Sequence, residues 1–122
     1  LAKIETEEPT MKKFLVLYLI PATVLEDWSE TDPGKRKAAE EKMRGEWMEW
    51  MRNHAKMITE ACGKTKRVSS SGTSDTKNDI HLYSFVEAES QAEAAKLFEG
   101  HPHLQIPQSS IEVMEIRPLT GM

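Results

Sequence analysis

At 122 residues and 39% hydrophobic content the chain has apolar material for one core and not for two. A formal charge of −4 with no dense Lys/Arg stripe argues against a nucleic-acid binder, and a single cysteine, Cys62, excludes an internal disulfide scaffold. No apolar run reaches membrane-spanning length and nothing reads as a secretory signal, so the expected setting is the cytoplasm, with neither nucleic acid nor membrane as a partner.

Residues 1–10 are polar and acidic at Glu5, Glu7 and Glu8, and Met11 follows as a natural initiator. They are expected to be a leader or expression remnant, or an arm that docks on a neighbouring chain, ahead of a single domain over 11–122. Lys12 to Ile20 (KKFLVLYLI) is the strongest strand, apolar on both parities, with Leu15, Leu17 and Leu19 on one face and Phe14, Val16, Tyr18 and Ile20 on the other. Both faces of such a strand call for cover. Pro21 ends it, and Val24, Leu25 and Trp28 give Ala22 to Glu30 a short helical pattern.

From Asp32 to Gly63 the spacing predicts one long helix, opened by Asp32 and Pro33 and stopped by Gly63. Ala39, Met43, Trp47, Trp50, Met51, His54, Ile58 and Ala61 recur at three- and four-residue steps along one face. At about 45 Å, such a helix either kinks near Gly45 or projects beyond the body. Lys64 to Ser70 then reads as a polar edge strand, and Ser70 to Asn78 (SSGTSDTKN) as a turn cluster. Asp79 to Glu87 (DIHLYSFVE) alternates, with Ile80, Leu82, Ser84 and Val86 on one face and His81, Tyr83 and Phe85 on the other. Ser90 with Glu93 opens a short helix that Gly100 closes, and Ser109 to Pro118 is the last strand.

Strand, helix, strand, strand, helix, strand is the order of an α+β ferredoxin-like domain, βαββαβ, with an antiparallel four-stranded sheet and two helices on one face. The doubly apolar first strand then leaves one sheet face without helices. A homodimer that brings two such faces together is the expected answer.

The stretches KKFLVLYLIPA, EWMEWM, SSGTSDTKND, FVEAESQAEAAKLFEGHP and SIEVMEIRPL, in that order over Met11 to Leu119, resemble the YCII-related family, also called the DGPF-domain family. The opening strand with Tyr18 and Pro21, the VEAES-to-HP run and the closing IEVMEIRPL carry most of the likeness. The resemblance implies a ferredoxin-like fold in a dimeric α+β barrel. At fold level it is similar to small monooxygenases and lactone isomerases that work in a sheet-lined pocket, an analogy that assigns no chemistry. One motif departs from the family. Where typical members carry Asp-Gly-Pro-Phe and a short acidic turn, this chain has Ser71 to Asn78: Gly72 and Thr76-Lys77 follow the pattern, the Pro-Phe is missing, and Asn78 stands in place of the later acid. If the motif builds a site, the site here is altered. A His-Asp pair proposed as catalytic in some members cannot be placed in full on this sequence.

The candidate chemistry rests on a few side chains. His81, Tyr83 and Tyr18 are expected at inward sheet positions, as a pocket wall with polar tips or as residues satisfied across a dimer interface. His101 and His103 flank Pro102 in a loop, where they either cap carbonyls or share a metal with His81 or Asp75. With no thiolate pair or HExxH-type signature, no metal is expected. His101-Pro102 matches the family, which places His101 ahead of His103 as an acid or base near neutral pH. His54 sits on the apolar face of the long helix as a core histidine, or a ligand contact if the cavity lies between helix and sheet. Trp47, Trp50 and the methionines Met43, Met48, Met51 and Met57 suit core and lid. Arg117 could clamp a carboxylate or form a surface ion pair. The expected catalytic set is therefore His101, His81 and Tyr18, with Tyr83, His54, Trp47, Asp75, His103 and Arg117 as ligand contacts. There is no phosphate loop, Rossmann fingerprint or nucleophile elbow, so no cofactor is expected.

Two functional readings follow. One is a cofactor-independent enzyme that works on a compact organic molecule by acid-base chemistry. The other is a non-catalytic small-molecule-binding or accessory dimerisation module. Convergence of a titratable pair on an open cavity separates them.

Overall fold

A computed structural model describes residues 11–119, so the expected leader over residues 1–10 lies outside the described residues. The first strand, β1 (Lys12–Leu19), lies inside the sheet, which is why it is apolar on both parities. Phe14, Val16 and Tyr18 are fully buried, while Leu15, Leu17 and Leu19 are half-buried. Helix α1 (Ala22–Ser29) follows Pro21 directly. Helix α2 (Pro33–Asn53) opens as its sequence requires, with the Asp32 carboxylate accepting from the Lys35 amide at 3.1 Å and Pro33 in the first turn.

The long helix ends ten residues before Gly63, at Asn53. His54 turns the chain out of helical geometry, with its amide bonded to the Met51 carbonyl and Nδ1 placed 2.8 Å from the Trp50 carbonyl oxygen. Ile58 and Ala61, which fit a helical period, belong instead to strand β2 (Ile58–Ala61). The β-branched pair Ile58-Thr59 favours the strand, and Thr59 finds a buried hydroxyl partner in Ser84 only when extended. At 21 residues α2 is about 31 Å long, and none of its residues is fully buried. Only Trp47 and Trp50 of α2 pack against the core, and its first half is largely solvated.

Lys64 to Ser70 contains a strand, but not one of the four-stranded sheet. It forms β3 (Thr65–Ser69), which pairs with β4 (Gly72–Thr76) in a separate antiparallel hairpin across Ser70 and Ser71. The predicted turn cluster thus holds a short turn and a polar strand, with Gly72 at φ +124° supplying the left-handed backbone. Strand β5 (Ile80–Ala88), helix α3 (Gln91–Lys96), a 3₁₀ turn (Pro102–Gln105) and strand β6 (Ser110–Glu115) complete the described chain. Ser90 caps α3 by accepting from the Glu93 amide, and Gly100, at φ +73°, makes the turn that leads into His101.

The four-stranded sheet has the order β2-β5-β1-β6 and every neighbouring pair is antiparallel. Among the described residues the fold is a mixed α+β arrangement of this sheet and three helices. Register places Phe14, Val16 and Tyr18 opposite Val86, Ser84 and Leu82 of β5, and opposite Glu115, Val113 and Ile111 of β6. Ala94 and Phe98, from α3 and its end, complete the core with Trp47 and Trp50. The opposite face carries Leu15, Leu17, Phe85, Met114 and Ile58, of which Phe85 is 47%, Met114 41% and Ile58 63% exposed. Among the described residues no helix is long and apolar enough to cross a membrane.

Candidate functional site

The densest polar chemistry lies on the helix-covered face, around Tyr18. Its hydroxyl is 2.8 Å from Ser84 Oγ, which is 2.7 Å from Thr59 Oγ1, so three strands each contribute one hydroxyl to a short chain. Burial pushes the Tyr18 pKa up, against the opposing pull of Ser84 and Thr59. The phenol stays protonated at neutral pH.

Above Tyr18 sits His101, placed by the turn at Gly100 and 1% exposed. Its ring lies 4.4 Å from the rings of both Trp47 and Trp50 and 5.5 Å from Tyr18. Nδ1 accepts from the His103 amide at 3.0 Å, capping the 3₁₀ turn. In the neutral ring the proton must then sit on Nε2. That Nε2 is buried and has no hydrogen-bond partner among the described residues. Its nearest rings are indoles, which offer π density but no lone pair. Burial lowers the His101 pKa to about 4, with smaller contributions from His103 and His54. At neutral pH it is uncharged.

His103 is also 1% exposed and packs edge-on to Tyr18, with ring centroids 5.5 Å apart. Its Nε2 donates to the Leu19 carbonyl at 3.0 Å, and the His103 carbonyl accepts from Ser109 Oγ. Burial lowers its pKa, the Leu19 and Ser110 carbonyls oppose this, and His81 adds a further lowering. The imidazoles of His101 and His103 therefore tie the loop to itself and to the end of β1.

His81 lies where β5 slips register against β1, between the pairs Tyr18–Leu82 and Leu19–Ile80. It is half-buried, and its Nε2 also lacks a partner. His54 stacks on Trp50 at 3.9 Å and 17°. The fold thus gathers Tyr18, His101, His103 and Trp47, brings His54 to their rim through Trp50, and sets His81 near enough to His103 to affect its titration.

Tyr83, Asp75 and Arg117 are elsewhere. Tyr83 pairs with Leu17, not with Tyr18, so the wall expected from Tyr18 and Tyr83 together does not form. Its hydroxyl donates to Glu60 at 2.7 Å, and that bond raises its pKa. Asp75 takes Lys66 at 2.6 Å on the hairpin, and Arg117 reaches Glu115 at 3.5 Å. The sequence reading did not single out Ser84, Thr59 or Phe98. For Ser84 a signal existed, since it is the one hydroxyl among the apolar inward positions of DIHLYSFVE.

Two open clefts border the fold, and His101 lines neither. One, of about 1140 Å³, runs from the end of α2 to the sheet and is lined by Met57, Ile58, Phe85 and Leu97, with Lys13, Arg52 and Lys56 as cations against Glu87. The other, of about 1020 Å³, lies between α1 and the base of the hairpin and includes His81, Cys62 and Asp75. Among the described residues no group of three His, Cys, Asp or Glu side chains is placed to hold a metal ion.

No protein-family model matches the chain, and no curated protein does. Among solved structures, the chain is similar to a hydantoinase/carbamoylase family amidase from Burkholderia ambifaria at 13% identity and a TM-score of 0.33. That match covers 88% of this chain and 27% of the amidase, so the chain spans about a quarter of the protein it matches. A likeness this low carries no argument for function.

Proposed function

We propose that this chain is a YCII-related protein of the cytoplasm, a ferredoxin-like domain that pairs through its helix-free sheet face as a dimeric α+β barrel and binds a compact organic molecule without turning it over. The sheet order β2-β5-β1-β6, with β1 to β2 and β5 to β6 each joined through a helix, supports the ferredoxin-like reading, the hairpin being an insertion between β2 and β5. The exposed apolar side chains Ile58, Phe85 and Met114 support the pairing.

The observation that carries the non-catalytic reading is how the loop histidines are used. His101 Nδ1 takes an amide, His103 Nε2 gives to a carbonyl, and both rings are 1% exposed, so neither presents a free base to a cavity. The cleft at the end of α2 is the better binding place. Its apolar wall and the cations Lys13, Arg52 and Lys56, with Glu87 alone opposing them, suit a small apolar carboxylate. One observation favours the enzyme reading: Nε2 of both His101 and His81 lacks a partner. Under that reading an opening of the loop brings His101, His81 and Tyr18 to a substrate.

Native mass spectrometry beside a denatured sample tests both readings. The expected result is a dimer that retains a small molecule or takes up added apolar carboxylates, with uptake lost in Arg52→Glu/Lys56→Glu and kept in His81→Ala. A dimer that binds nothing overturns the binding reading. Turnover of a bound compound that disappears in His81→Ala replaces it with the enzyme.

A further inference from the structure

Among the described residues the β3–β4 hairpin has no element packed closely on it. It is a sheet of its own, not hydrogen-bonded to the four-stranded one, and the other described elements make at most slight contact with it. Apart from Thr65 and Thr76 at its base, all its strand residues are exposed, Val68 to 77%. Two strands by themselves are marginal in water. What holds them is modest: a solvated Lys66–Asp75 pair, and Asn78 Nδ2 donating to Thr65 Oγ1 at 3.2 Å.

Its charge points to what it meets. Lys64, Lys66, Arg67 and Lys77 against Asp75 alone give residues 64–78 a formal charge of +3, leaving −7 on the rest of a chain whose total is −4. On the helix-free sheet face, register places Glu60 opposite Tyr83 and Glu112 opposite Leu17, both exposed, while Glu87 is offset by Lys13 opposite it. Each hairpin strand could extend about 16 Å, enough to leave its own body and lie along a neighbour. A nucleic acid fits less well, because four cations carried on a body of −7 make a weak phosphate surface.

We propose that the β3–β4 hairpin is a dimer arm, which in a two-fold pair lays its basic strands against Glu60 and Glu112 of a second copy. This rests on the sheet-face pairing proposed above, and adds to it. Apolar contact between sheet faces does little to fix the relative orientation of two copies. A basic arm meeting an acidic face, made twice by symmetry, selects one orientation and speeds encounter.

The test mixes unlabelled and ¹⁵N-labelled full-length protein, couples lysines to carboxylates with a zero-length carbodiimide, and identifies the linked peptides by mass. Links between differently labelled copies, from Lys64, Lys66 or Lys77 to Glu60 or Glu112, are expected. In sedimentation equilibrium, Arg67→Glu/Lys77→Glu is expected to weaken the dimer about tenfold at low salt and much less at high salt, with unchanged circular dichroism. Phe85→Glu, on the sheet face, should abolish the dimer at either salt concentration.

Arm lysines that link only within their own copy, or a dimer unmoved by the charge reversal, overturn the arm while leaving the sheet-face pairing intact. A wild-type monomer at all concentrations overturns both. Binding of a short DNA duplex at low salt that the same reversal removes, with the dimer unmoved, gives the arm to nucleic acid and overturns the proposal.

Discussion

The two faces of β1 are built from neighbouring residues of one strand and have opposite fates. Phe14, Val16 and Tyr18 are 0% exposed beneath Trp47, Trp50 and Phe98, while Leu15, Leu17 and Leu19 are half-buried. The covered face also holds the polar groups that depend on burial: the Tyr18–Ser84–Thr59 hydroxyl chain and two neutral histidines. The other face holds groups that work in water, such as Tyr83 with Glu60. One face is a finished interior with its hydrogen bonds made internally, and the other has the apolar content of an interior without its cover.

The largest effect should come from testing that contrast by truncation. Phe14→Ala opens a cavity in a closed core and is expected to cost about 3–5 kcal/mol, seen as a lower urea midpoint with unchanged slope. Phe85→Ala removes the same chemical group from the open face. Its cost in the monomer should be a small fraction of that, with its effect appearing in the concentration dependence of unfolding. Equal losses at both positions under monomeric conditions would mean the open face is covered within the chain.

Next in size is the hydroxyl chain. Ser84→Ala leaves the Tyr18 and Thr59 hydroxyls without the partner they share and is expected to cost about 1–3 kcal/mol. Tyr18→Phe in the Ser84→Ala background should cost less than in the wild type, because the hydroxyl it deletes has already lost its partner. A double-mutant cycle with no coupling would show that the two hydroxyls act independently.

How much of this was legible follows the same division. The doubly apolar run of β1, the alternation of β5, the Asp32 and Ser90 caps and the end of β1 before Pro21 could be read directly, because each depends on neighbours in sequence. The end of α2 could not. Ile58 and Ala61 satisfy a 3.6-residue period and a strand equally well, and the choice is made by Ser84, 25 residues away from Thr59. The first hairpin strand is legible at Lys64 to Ser70, but the second reads as a turn because Gly72, Thr73, Ser74 and Asp75 have no apolar face, and a strand paired only with another polar strand needs none. For the site, the pairing of Tyr18 with His101 depended on the helix turn and Gly100 bringing residues 83 positions apart together. The expected wall of Tyr18 and Tyr83 failed on parity, since Leu82 and not Tyr83 stands opposite Tyr18.

The smallest expected effect sharpens the contrast by pH. His101 has a folded pKa of about 4, below the 6.5 of an exposed imidazole, so between these values the unfolded chain binds the extra proton. Stability associated with burying the neutral ring is complete above about pH 6.5 and falls as pH drops toward 4. The slope cannot exceed about 1.4 kcal/mol per pH unit for one proton. His103, lowered in the same direction, adds to the fall. Urea unfolding of wild type and His101→Gln at several pH values between 7.5 and 5 measures this. At pH 7.5 the variant should be less stable, having traded a ring packed between two indoles for an amide. Toward pH 5 the difference should shrink, because only the wild type carries this proton penalty. A gap that stays constant with pH would mean that His101 titrates as it does in water, and so that the face it occupies admits solvent.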